Sequence, residues 1–189
     1  MRNATKALGT FCLLSAALGV SAPAHAQEGF PKPGKEHALL SQDVGTWEAT
    51  IKMWTDPQGE PQVSKGTETN TLMPGGLWVL SKFEGEMMGT TFHGQGQNGY
   101  DPVRGKYVGT WVDSMSTSPI VMEGTYDEAK KALTMTGETV DPSGAKGLMK
   151  IVSTIKPDGG RSSVFLMKSE ATGPDFVKVM EIDYAKKGK

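Results

Sequence analysis

From Val44 onward the polarity of the chain alternates with a period of two. Trp47, Ala49, Ile51 and Met53 are apolar or small, and Glu48, Thr50 and Lys52 between them are polar. That pattern belongs to a strand with one face buried and the other in water. It recurs in Leu77-Val79-Ser81-Phe83-Gly85-Met87 and in Ile120-Met122-Gly124-Tyr126. Leu133-Met135-Gly137, Met149-Ile151-Ser153-Ile155, Ser163-Phe165-Met167 and Met180-Ile182-Tyr184 continue it. Turn chemistry separates these runs at Asp56-Pro57-Gln58-Gly59, Pro74-Gly75-Gly76, Asp101-Pro102, Asp141-Pro142-Ser143-Gly144 and Pro157-Asp158-Gly159-Gly160. The spacing predicts about ten strands some 10 to 12 residues apart, too close for crossover helices, so neighbours pair antiparallel. A meander of that length leaves two edges that template aggregation unless it closes. The expected fold is therefore all-β, an antiparallel up-and-down barrel. A two-sheet sandwich is the alternative with the same strand spacing. One helical segment is expected, Glu36 to Asp43, two turns with Leu39 and Leu40 toward the core.

The start of the chain follows different rules. Arg2 and Lys6, an apolar stretch from Leu8 to Val20, and Ala24-His25-Ala26 form the three parts of a secretory signal. The expected organisation is a signal peptide at 1–26, an extended leader at 27–34 around Pro31 and Pro33, and a single β-barrel domain at 35–189. The mature chain begins near Gln27, in the periplasm or outside the cell, with no integral membrane segment left after cleavage. Cleavage removes two basic residues from a chain of net charge −1. The mature part is then too near charge balance to imply nucleic acid as a partner. It also removes Cys12, the one cysteine, so neither disulfides nor a thiol nucleophile are available.

At Gly45-Thr46-Trp47, just after the helix, the chain resembles the Gly-x-Trp element of lipocalins, whose tryptophan closes the barrel base. Arg104 and Arg161 are the candidates for the arginine that covers it. A closer resemblance is to a bacterial family catalogued as domain of unknown function 1579, with a lipocalin-like barrel. It is carried by Pro33-Gly34-x-Glu36-His37-x-Leu39-Leu40, Lys65-Gly66-Thr67, Phe83-Glu84-Gly85-x-Met87-Met88-Gly89, and Gly99-Tyr100-Asp101. Lys106-Tyr107-Val108 leading into Trp111-x-Asp113-Ser114-Met115-Ser116-Thr117 extends it, as do Glu123-Gly124-x-Tyr126 and Met180-Glu181-x-x-Tyr184. The resemblance implies the fold and assigns no activity.

Catalysis needs a nucleophile beside a base, or acids whose pKa values are driven apart. The mature chain offers only His37 and His93. His37 reads as a solvated or capping residue of the helix, and His93 falls on the polar phase of its strand. Ser114 beside Asp113 lacks a glycine-flanked elbow and reads as a turn cap. Two distant histidines and scattered carboxylates give no metal-ligand spacing. Of the methionines, which could hold copper(I), most lie on apolar faces, where they fill irregular space.

The same methionines suggest a deformable lumen. The preferred reading is a non-enzymatic protein that binds a small hydrophobic or amphipathic molecule without a cofactor. Trp47 would close the base, Met53, Phe83, Met122 and Phe165 would form the wall with Trp111, and Asp113 with Tyr100 would supply polar contacts at one mouth. Glycines 85, 94, 96, 109, 124 and 137 are expected to leave space in it. The alternatives are a hydrolase or isomerase using Asp113 or His93, and a packed-core interaction or stress protein. Haem held through His93 is a special case of binding.

Overall fold

A computed structural model describes residues 29–188 apart from Pro142; the export segment at 1–26 lies outside the described residues. A short helix α1 (Lys35–Ser41) precedes ten strands. They are β1 (Gly45–Met53), β2 (Gln62–Leu72), β3 (Trp78–Met87), β4 (Thr90–Asp101), β5 (Lys106–Asp113), β6 (Ile120–Asp127), β7 (Ala132–Val140), β8 (Lys146–Ile155), β9 (Arg161–Ser169) and β10 (Gly173–Lys186). Each pairs antiparallel with the next, and β1 pairs with β10 from Trp47–Lys186 to Met53–Met180, closing a barrel. Both ends of the meander thus donate into a ladder, and no edge is left open. The sandwich is not formed.

The period-two face is clearest on β1. Trp47, Ala49 and Ile51 on β1 are at most 3% exposed, whereas Glu48 between them faces water. Pairing keeps like faces together, with Glu68 opposite Phe83, Phe83 opposite Gly94, and Gly94 opposite Asp113. A one-residue slip in any pair would turn its apolar set outward.

Turn chemistry fixes that register. Asp101 accepts the amides of Val103 and Arg104 at 2.9 and 3.1 Å, and Asp141 those of Ser143 and Ala145 at 2.8 and 3.0 Å. The tightest connection has no such signal. Met87 pairs with Thr90, leaving Met88 and Gly89 as a two-residue loop with φ of 53° and 73°, the two positive φ values of a type I′ turn.

Helix α1 packs on β3 and β4 at the end where the odd-numbered strands begin. We call this end the floor and the opposite one the rim. Leu40 is buried against Val79 and Tyr107, with Leu39 beside it. His37 caps the helix, its Nδ1 accepting the Gly34 amide at 3.0 Å. It is not solvated, however; it is buried edge-on to Tyr100 with ring centres 6.0 Å apart.

Candidate functional site

The inward side chains do not meet in one core. One buried cluster joins Trp47, Ile51, Phe83, Phe92, Ile182 and Tyr184. A second joins Leu40, Val79, Tyr107, Met122 and Met135. Between them lies a cavity of about 390 Å³ that touches both. Side chains that face inward from β8, β9 and β10, including Met149, Ile151, Phe165 and Met180, remain only partly buried because the space beside them is empty. Seven methionines line it: Met53, Met87, Met115, Met122, Met135, Met149 and Met180.

Of the residues the sequence nominated, Met53, Phe83, Trp111, Asp113, Met122 and Phe165 line this cavity. Trp47 does not. It is buried in the floor, 3% exposed, where its indole N–H donates to the Asp43 carbonyl at 2.8 Å. Tyr100 does not either. It pairs with Tyr107 at the floor end of the β4–β5 hairpin, while Asp113 is paired with Gly94 toward the rim. The two were expected at one mouth, but antiparallel register places them at opposite ends of the same pair of strands.

Asp113 is engaged on both oxygens. Oδ2 accepts the Trp111 indole N–H at 3.1 Å and Oδ1 the Met115 amide at 2.9 Å, so it braces the wall and caps the turn. Ser114 bonds only to the His93 backbone among the described residues, its amide donating to the His93 carbonyl at 2.9 Å and its Oγ accepting the His93 amide at 3.1 Å. His93 is exposed on the outer face of β4, opposite Glu84. It cannot ligate a haem in the cavity, nor share an acid–base task there with Asp113. Among the described residues no group of three His, Cys, Asp or Glu side chains converges as a metal site.

Of the six glycines expected to leave space, Gly109 lines the cavity, whereas Gly94 and Gly96 serve another purpose, as does Gly66. A Cβ at Gly94 would overlap the Trp111 ring, and one at Gly96 would lie 2.8 Å from Trp111 Cε3. A Cβ at Gly66 would lie 2.6 Å from Phe83 Cζ. These positions seat aromatic rings flat against neighbouring strands. They shape the wall and do not themselves empty the lumen.

Around Arg161, one of the two arginines the sequence nominated, the floor holds a charged cluster that the sequence did not reveal. Arg161 on β9 is 12% exposed in its side chain, is bonded to Glu68 of β2, and reaches Asp43 at 3.3 Å. Its guanidinium lies 5.2 Å from the centre of the Trp47 ring and 4.0 Å from that of Tyr184. Between the two candidates it is therefore Arg161, and not Arg104, that covers the tryptophan. Arg104 instead pairs with Asp101 and Glu123 on the surface. Asn70 donates to Glu68 at 2.7 Å and to the Asp43 carbonyl at 3.1 Å, tying α1 to β2.

Burial sets the electrostatics of this cluster. Desolvation holds the Asp43 carboxyl above the usual carboxylate range, against the pull of Arg161. It also holds the Tyr184 phenol well above the ordinary tyrosine range, and the negative charge of Glu68 adds to the shift. Desolvation alone would lower Arg161, but Glu68 and Asp43 outweigh it and raise its pKa. The only available signal was a polar residue on an inward phase. Ser153 and Ser163 show it too: they line the cavity and share a hydrogen bond of 2.9 Å.

None of the curated proteins matches the chain. A family model described as protein of unknown function (DUF1579) matches residues 32–186, which takes in the helix and every strand from β1 to β10. The chain belongs to that family.

Proposed function

We propose that the protein binds one small hydrophobic or amphipathic molecule in the barrel, without catalysing a reaction. The separation of the inward side chains into two clusters by a cavity of about 390 Å³ carries this reading. A side-chain-filled small barrel would merge them into one contiguous core. The volume falls in the usual range of small-molecule sites, about 300–1,000 Å³. Methionine-rich walls repack around guests of different shape at little cost, because the thioether chain is flexible and polarisable. With the export signal read at residues 1–26, such a carrier acts in the periplasm or outside the cell.

Titration with the uncharged probe N-phenyl-1-naphthylamine tests the reading. One saturable site per chain, with the blue-shifted emission of an apolar environment, is the expected result. Emission that rises without saturation, together with native mass spectrometry showing a chain that retains no small molecule from its producing cell, would favour the packed-core alternative.

A further inference from the structure

The apolar wall says that a guest is hydrophobic; the charged groups in the wall say more. Three carboxylates, Asp43, Glu68 and Asp113, line the cavity against a single cation, Arg161. That cation is bonded to Glu68, lies 3.3 Å from Asp43 and is stacked on Tyr184, so two of the three carboxylates already face it; only its buried Nε has no hydrogen-bond partner among the described residues. The lysines that could offset the excess are elsewhere. Lys52 and Lys156 pair with Asp183, and Lys82 pairs with Glu84; none of the three lines the cavity.

An anionic head group entering this space meets three carboxylates and one cation whose charge two of them already share, and burying a poorly compensated carboxylate is among the costliest substitutions for water. Neutral hydrogen-bonding groups are available. Ser81 and Asn98 face the cavity from β3 and β4.

Resting on the lumen-binding reading, we infer that the polar end of the guest is uncharged or cationic, and that carboxylates of otherwise fitting shape are rejected. The class is that of alcohols, amides or amines on an apolar body, not fatty acids.

Displacement of N-phenyl-1-naphthylamine from the full mature chain by decanol, decylamine and decanoate at neutral pH tests this, because the three share one ten-carbon body. Decanol and decylamine should displace the probe at similar concentrations, with decanoate needing at least about tenfold more. Asp113→Asn should lower the decanoate-to-decanol ratio about threefold, since it removes a like charge from the wall. Decanoate binding as tightly as decanol would overturn the inference and leave the lumen reading standing. A ratio unmoved by Asp113→Asn in a folded variant would overturn the assignment of the rejection to these carboxylates. Failure of the probe and all three guests to bind would overturn both.

Discussion

The guanidinium of Arg161 lies 4.0 Å above the Tyr184 ring while bonded to Glu68 on the far side of β1. One side chain thus joins β9, β10 and β2 and, through Asp43, the helix end. Arg161→Met should destabilise the fold by about 3–5 kcal/mol, because it leaves a carboxylate buried without its partner. Glu68→Leu added to it should recover much of that loss, for the pair is then replaced by apolar volume. Urea unfolding of the single and double variants measures both.

Alkaline titration reads the same floor. Tyr184 is held well above the ordinary phenol range and Tyr107 is pushed up to about 12, in both cases chiefly by burial. In the unfolded chain both ionise near 10. Above that pH the unfolded state holds fewer protons than the folded one, so stability falls as pH rises. Below it, their contribution is fully present. Absorbance at 295 nm should show Tyr107 and Tyr184 ionising late in the folded protein, a late phase that urea abolishes.

How much of this was legible depended on what each strand faces. β1 alternates cleanly because its inward positions are apolar, and its phase read correctly from Trp47 to Met53. On β8 Met149, Ile151 and Ser153 face the cavity as the pattern placed them, but Ile155 at the strand's end is exposed. β2 is silent because its inward positions are Gly66, Glu68 and Asn70, chosen to seat Phe83 and to bond Arg161. The partner of Glu68, Arg161, lies 93 residues away in sequence, so local periodicity cannot show it. Tyr100 was misplaced for a related reason: pattern gives the face of a residue but not its height along the barrel.

Gly94 exists for Trp111, so Gly94→Ala should cost about 1–3 kcal/mol by overpacking. Trp111→Phe alone removes ring volume and widens the cavity. In the double variant the two changes should couple, the alanine costing clearly less than in the parent. A thermodynamic cycle of melting curves supplies the coupling; strict additivity would show that the ring does not rest on Gly94.

Met88 holds φ of 53° at the first position of a type I′ loop, a conformation that asparagine tolerates and methionine does not favour. It is also 63% exposed, so nothing packs on its side chain to compensate. Met88→Asn should stabilise the protein by about 0.5–1 kcal/mol, seen as a raised urea midpoint with an unchanged slope.

The central claim is that the lumen is open, and Ile151→Trp tests it most directly. Ile151 is half-buried, faces the cavity from β8, and stands opposite Met135 and Phe165. In an open lumen the larger ring grows into empty space. Uptake of N-phenyl-1-naphthylamine should then fall several-fold with the melting temperature nearly unchanged. If the barrel were filled, the same ring would overpack it at a cost of about 1–3 kcal/mol. Unchanged probe uptake with a lowered melting temperature would contradict the account.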